Sequence, residues 1–392
     1  MLSAYKTVLV FIMNKNIFAK NFSKKFHMGS KLLRLILAGL LYFSTQAYSQ
    51  DADWASPEVQ QMYNQAKDFL SKGGVKQAIV LLQQAIQLSP ETPVLYRDLA
   101  YSLNLNGEYA EAYRTVEPLI NNKQTDEQTY SIAGIALSGM GEKKKAKKIL
   151  EKGIKEYPHS GSLYHELGKY YDDNNDPEYA LRSWLQGIEQ DPAYHVNYYE
   201  AAKSYAATTK PMWAVFYAEI FINIEKETPR SMDARRIMLM AYTKIFNTIG
   251  TGYVPQYKTG STTVTPKSLD FEKAVMDLYL QLAPVMSDGI TAENLTMMRT
   301  RFAMEWMTRY AVKFPYSLFT YHDKLLRDGQ FDAYNQWLFG KAENAGLYNS
   351  WTQFNPSAIP GINSWMERNR FYPTSADFYD TKDVSTLFSK KK

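Results

Sequence analysis

The chain reads as an all-α protein built from tandem helical hairpins and closed by a C-terminal helical extension. Three observations lead there. Tyr96, Tyr130, Tyr164 and Tyr198 recur every 34 residues. Small residues recur in phase with them. Glycine and proline fall at the places where helices would have to turn or stop.

The first 49 residues stand apart from the rest. They hold seven basic residues (Lys6, Lys15, Lys20, Lys24, Lys25, Lys31, Arg34) and no acidic one. The whole chain has 45 basic and 40 acidic residues, so removing this segment leaves 38 against 40 and turns a net +5 into −2. A chain so balanced has no global field drawing it onto nucleic acid, and no nucleic-acid partner is expected. Met28-Gly-Ser-Lys-Leu-Leu-Arg34 has the basic character of a signal-peptide start, and Leu35 to Phe43 is apolar but short for a membrane span. Ala47-Tyr48-Ser49 supplies small residues for a peptidase. Cleavage is expected before Gln50, or after Ala47, with translation starting at Met28; an uncleaved anchor is the alternative. The reading is an exported, periplasmic or envelope-associated protein with no stable transmembrane segment after cleavage. With no cysteine anywhere, disulfides, thiolate metal sites and a Cys nucleophile are excluded.

Residues 50–228 hold five units, starting at Val59, Pro93, Glu127, Gly161 and His195. The eighth position reads Ala66, Ala100, Gly134, Gly168, Ala202; the twentieth reads Ala78, Ala112, Ala146, Ala180, Ala214. Positions 4, 8 and 11 share one face of a first helix, and 20, 24 and 27 one face of a second. Two such helices can approach closely only where both side chains are small. Larger residues fill in beside them: Phe69, Leu103, Leu137, Tyr171 and Tyr205 at position 11, and Leu82, Val116, Leu150, Trp184 and Ala218 at position 24. Gly73, Gly107 and Gly141 fall in the inter-helix turns, where glycine takes a positive φ at little cost. Pro90, Pro158 and Pro192 follow helix ends.

These residues resemble the tetratricopeptide-repeat (TPR) family over 59–228. The resemblance implies a right-handed superhelical solenoid whose concave groove is lined by first helices and binds a protein or peptide, with no chemistry of its own. The fifth unit departs from the pattern, with Lys210-Pro211 in place of the glycine turn and its terminal proline late, at Pro229. In the family, positions 2, 5, 9 and 12 face the groove. Here they give Tyr63 and Lys67; Arg97, Tyr101 and Asn104; Ser131 and Ile135; His165, Lys169 and Asp172; and Tyr199 and Lys203. Bases and rings alternate, as would suit an extended acidic segment; the bland reading is ordinary solvated surface. Position 9 reads Lys, Tyr, Ile, Lys, Lys, so the asparagine pair of the chaperone-type carboxylate clamp is absent.

Residues 229–249 continue with a helix carrying Ile237, Met240, Ala241 and Ile245 on one side. A Gly/Thr/Pro-rich break runs from Gly250 to Pro266, so that 229–267 forms an extra helix plus loop. Helical periodicity returns at about 268–284 and 291–313. Ser317–Gly340 resembles a degenerate repeat hairpin turning at Gly329, with Tyr334 where a small residue is expected. Phe314 to Tyr372 holds 14 aromatic residues in 59 positions, the material of a cap over the last repeat. A flexible tail is expected from 373 to 392. No family is recognised in this half.

Chemistry is sparse. No P-loop, G-x-G-x-x-G, G-x-S-x-G or H-E-x-x-H stands in the chain, and no cofactor is expected. Asp172-Asp-Asn-Asn-Asp176 has calcium-loop spacing but lacks the glycine and the closing glutamate, and it falls at a repeat turn, so no metal is expected. Lys143-Lys-Lys-Ala-Lys-Lys148 is a basic run read as a solvated face, with acidic lipid or phosphate contact as its functional alternative. The main reading is a scaffold binding a protein or peptide in its groove. The alternative places an enzymatic or glycan-binding site in the C-terminal helical region, where a deep pocket of converging carboxylates or a histidine would mark it.

Overall fold

The computed structural model describes residues 54–251, 266–380 and 384–388. The leader and most of the Gly/Thr-rich break lie outside the described residues. Among those described, every regular element is helical and none is long and apolar enough to cross a membrane.

The five hairpins follow the predicted phase. First helices are α1 (Pro57–Ser71), α3 (Pro93–Leu105), α5 (Glu127–Gly139), α7 (Gly161–Asp173) and α9 (Val196–Ala207); second helices are α2 (Val75–Leu88), α4 (Tyr109–Asn121), α6 (Lys143–Glu156), α8 (Pro177–Gln190) and α10 (Pro211–Ile224). All ten small residues at positions 8 and 20 are buried. Where position 8 is glycine, its partner at position 24 fills the space. A Cβ at Gly134 would lie 2.5 Å from Leu150, and one at Gly168 2.2 Å from the Trp184 indole nitrogen. Gly73, Gly107 and Gly141 have φ of +80°, +81° and +77°. Asn175 takes the same left-handed conformation in the fourth unit, at φ +57°. This accounts for the acidic run around it as a turn: Asp176 caps α8 by accepting from the Tyr179 N–H at 3.4 Å.

Successive first helices pack against one another while successive second helices barely touch. The first helices therefore line the inner side of the array. Phe69 departs from expectation: it is exposed. The equivalent Tyr171 packs under Lys147 of the preceding second helix, and the first unit has no described helix before it.

Beyond the repeats come α11 (Pro229–Gly250), α12 (Pro266–Leu282), α13 (Ala292–Arg309) and α14 (Ser317–Arg327). Next is α15 (Phe331–Asn335), which runs through a π-helical turn into Lys341–Glu343, then α16 (Ala345–Phe354), α17 (Ala358–Arg368) and a final turn, α18 (Ser385–Phe388). On α11, Ile237, Ala241 and Ile245 are buried as expected, but Met240 points outward. The α14–α15 hairpin turns at Gly329, φ +65°. This half does not extend the stack. It folds back around α10, a helix buried on all sides from Met212 to Asn223. Phe216 of α10 meets Phe319 and Tyr316 with ring centroids at 5.2 and 6.0 Å. Ten of the 14 C-terminal aromatics are buried; Tyr348 and Trp351 are half-buried, Phe354 and Tyr372 exposed. The segment expected to be a flexible tail is instead packed: Tyr379 stacks on Phe271 at 4.5 Å, Tyr217 donates to Asp380 at 3.0 Å, and Val384 is fully buried. Its apolar and hydrogen-bonding groups find partners only in the folded core, which no local pattern announces.

Candidate partner-binding groove

The inner face is built from two kinds of position on the first helices. At position 5 the side chains are spent between neighbouring helices. Tyr63 donates to Asp98 at 2.8 Å, and burial together with that carboxylate pushes its hydroxyl pKa well up. Arg97 pairs with Asp98 at 3.0 Å and reaches across to Asp126, which also caps α5. Ser131 meets Ser162 at 3.3 Å, and Tyr199 donates to Asp233 at 2.8 Å. His165 contacts Glu166 at 3.1 Å through Nδ1, and its ring stands 6.0 Å from that of Tyr194. Tyr63, Arg97, His165 and Tyr199, all expected to face a ligand, thus form a polar ladder tying each unit to the next. Asn104 is buried and donates to the Ile132 carbonyl at 2.9 Å, a further inter-unit tie.

Position 9 is what remains open. Lys67, Tyr101, Lys169 and Lys203 are exposed and Ile135 is half-buried. One helical turn on, at position 13, stand Ser71, Leu105, Gly139, Asp173 and Ala207, all exposed. The family spacing does not single out position 13; its signal in the sequence is the i, i+4 relation to position 9. Together they form a strip whose centre is apolar (Tyr101, Leu105, Ile135, with 43% and 52% of the first two exposed). Gly139 continues it because the Tyr109 ring sits beneath: a Cβ there would lie 2.4 Å from that ring. Between α5 and α7 the strip deepens into a cleft of about 210 Å³ lined by Ile135, Ser138, Gly139, Glu166, Lys169 and Tyr170.

The strip is not the alternation of free bases and rings that the sequence suggests. Each lysine has a carboxylate of its own chain close by: Lys67 with Asp98 at 3.6 Å, Lys169 with Glu166 at 3.7 Å, and Lys203 with Glu200 at 2.8 Å. Burial works to raise the Glu166 carboxyl; the hydrogen bond with His165 and the charge of Lys169 outweigh it and hold the group below its usual range. The groove floor is therefore close to charge-balanced. The pairs are partly exposed, so each is weak and exchangeable.

The C-terminal region holds a second constellation. Glu219 on α10 accepts from His322 Nε2 at 2.7 Å and from the Tyr334 hydroxyl at 2.9 Å, and the Arg299 guanidinium converges on the same oxygen. Tyr334 stands here because its hydroxyl also meets Asn223 at 2.7 Å, a job no small residue could do. Burial would raise the Glu219 carboxyl, but Arg299 and His322 hold it down to about 2. The carboxylate and histidine that would have marked an enzymatic site are thus present and converging, but all four side chains are shut from solvent. Among the described residues no group of three or more His, Asp or Glu is placed to hold a metal.

The hairpin stack with its inner strip defines a helical-repeat protein. Residues 69–134 match the family model of the tetratricopeptide repeat, and the five phased hairpins that contain and extend this match are tetratricopeptide repeats. A stretch of 101 residues, 26% of the chain, is 30% identical to the antiviral innate immune response effector IFIT1 of Macaca fascicularis. That stretch spans about a fifth (21%) of the relative's length. Among solved structures, a thermophilic TPR protein of Thermus thermophilus aligns at 16% identity and a TM-score of 0.40, covering 47% of this chain and 99% of that one. The pilF protein of Pseudomonas aeruginosa aligns at 15% identity and 0.39, covering 50% and 91%.

Proposed function

We propose that the protein is an exported scaffold that holds an extended segment of a partner protein along positions 9 and 13 of its first helices. One observation carries the reading. Packing and inter-unit hydrogen bonds consume positions 5, 8, 11 and 12 in the second unit, yet Tyr101 and Leu105 are left uncovered beside Ile135 and the α5–α7 cleft. Rings and aliphatic groups on a rigid helical face give contact area at low entropy cost. The flanking lysines, each weakly paired, can exchange an internal carboxylate for one on the partner. The reading is non-enzymatic, and the groove asks for no cofactor. Export rests on the pattern of residues 28–49.

Two measurements test this. Tyr101→Ala with Leu105→Ala removes exposed side chains only, so the thermal melt should stay within about 1 kcal/mol of wild type. Capture of a partner identified by crosslinking from native envelope fractions should fall at least about tenfold. Unchanged capture removes the groove from consideration. For export, the natively expressed chain should begin at or near Gln50; an intact Met1 or Met28 on a cytosolic species would refute it.

A further inference from the structure

The five second helices share one packing scheme but not one surface. The second helix of the third unit, α6, carries seven lysines and two glutamates in 14 residues. No other second helix approaches this: α2 has a single lysine, and the ionic side chains of α4 and α8 are largely self-paired, Arg114 with Glu111 and Arg182 with Glu178. Ala146, Leu150 and Gly153 turn inward, so the lysines fan outward on the face opposite the groove. Lys143, Lys144, Lys145, Lys148, Lys152 and Lys155 are exposed. Lys145 and Lys152 reach Glu142 and Glu156 at 3.3 and 4.0 Å, and Lys147 lies over Tyr171 near Glu151. Lys143, Lys144, Lys148 and Lys155 make no ion pair among the described residues.

This face works against the helix that bears it. Lys143/Lys147, Lys144/Lys148 and Lys148/Lys152 are like charges one turn apart, each unfavourable. Lys143 to Lys145 also occupy the first turn, the positive end of the helix dipole, where α4 and α8 carry Glu111 and Glu178 instead. A surface that breaks local rules with no internal compensation points to an external one.

We propose that the outer face of α6 docks the protein on an anionic lipid bilayer. The chemistry favours a lipid plane over other polyanions. The face has no arginine to grip a phosphate bidentately and no aromatic ring to stack on a base, and it is a ridge, not a groove. Lysine heads spread along a straight rod of about 20 Å reach a flat array of headgroups together. Docking by this side leaves the first-helix strip turned away from the membrane and free. The inference does not depend on the groove reading.

Co-sedimentation of the chain beginning at Gln50 with vesicles decides it. Binding is expected to equimolar phosphatidylcholine and phosphatidylglycerol at about 50 mM salt, to weaken strongly at about 0.5 M, and to be absent with phosphatidylcholine alone. Lys144→Gln, Lys148→Gln and Lys155→Gln together should lower the affinity about 100-fold. Their thermal melt should hold or rise, since repulsion is relieved. Lys67→Gln, Lys169→Gln and Lys203→Gln remove the same formal charge from the groove and should leave vesicle binding within about twofold. Equal losses from the two sets, equal binding to neutral vesicles, or retention on a polynucleotide with no vesicle binding would each overturn the proposal.

Discussion

The molecule has two cores made on different principles. From Val59 to Leu167 the core is a repeating seam of small and branched side chains, with polar ties between units and open surface on both faces. From Ala180 onward, repeats and C-terminal region share one continuous core rich in aromatic rings, wrapped around α10 and holding Glu219, Arg299 and His322 out of water. The boundary falls inside the fourth unit, not at the end of the repeats. The first region is an array in which each unit contacts its neighbours and surface is left over for a partner. In the second, that freedom has been given up: the fourth and fifth units' second helices are covered by the chain's own remainder. Groove binding therefore belongs to the units whose surfaces stay open.

Removing parts of each region gives the sharpest contrast. Ending the chain after Lys313 strips α10 of Phe319, His322, Tyr334 and Tyr379 and exposes its apolar circumference. Insoluble or molten protein is expected, seen as loss of near-ultraviolet dichroism with helicity retained. Starting the chain at Thr92, without the first unit, should give a lowered but cooperative melt, because terminal repeats contribute one interface each. A well-folded monomer from the first truncation would dissolve the distinction.

Next in size is the buried carboxylate. Glu219→Ala leaves Arg299 without its counter-ion and should cost about 3–5 kcal/mol by chemical denaturation. Breaking the Lys203–Glu200 pair on the open side by Glu200→Ala should cost below about 1 kcal/mol. Acid should separate the cores as well. Glu219 titrates at about 2 when folded against 4.5 in model compounds, so its contribution is complete above pH ~4.5 and is lost as pH falls toward 2. His322, whose pKa burial lowers despite the pull of Glu219, adds a loss in the same direction below about pH 6.5. Near-ultraviolet signals from the C-terminal rings should fade before the helicity of the first units does; simultaneous loss would show one cooperative block.

The smallest effects come from the seam. Ala112→Leu, between two open faces, should cost about 1–3 kcal/mol in thermal melts, and Glu111→Leu on the same helix far less. Ala214→Leu, in the helix packed on every side, should exceed both. Equal costs at Ala112 and Ala214 would mean that the wrapping of α10 adds no rigidity.

Much of the repeat region is legible in the sequence. The 34-residue phase, the ten small residues, the turn glycines and the stop prolines are local or short-range requirements, so periodicity alone fixes α1 to α10 to within about two residues. The all-apolar run of α10 is a visible sign of a helix buried on every side, although the repeat pattern makes it look like one more second helix. The groove is half legible. Family spacing finds the first-helix face, but whether Arg97 is free for a ligand depends on Asp126, 29 residues away, and whether Tyr63 is free depends on Asp98 in the next unit. Those pairings are set by how far one unit is rotated on the next, which no single helix encodes.

The sequence by itself determined the repeat, because each hairpin closes through contacts inside a 34-residue window. Only the tertiary structure decided where the second half goes. Glu219 finds Arg299, His322 and Tyr334 at separations of 80, 103 and 115 residues, and Tyr217 finds Asp380 at 163. Pairings that distant leave no period in the chain, and burial rewards them only once the fold has closed.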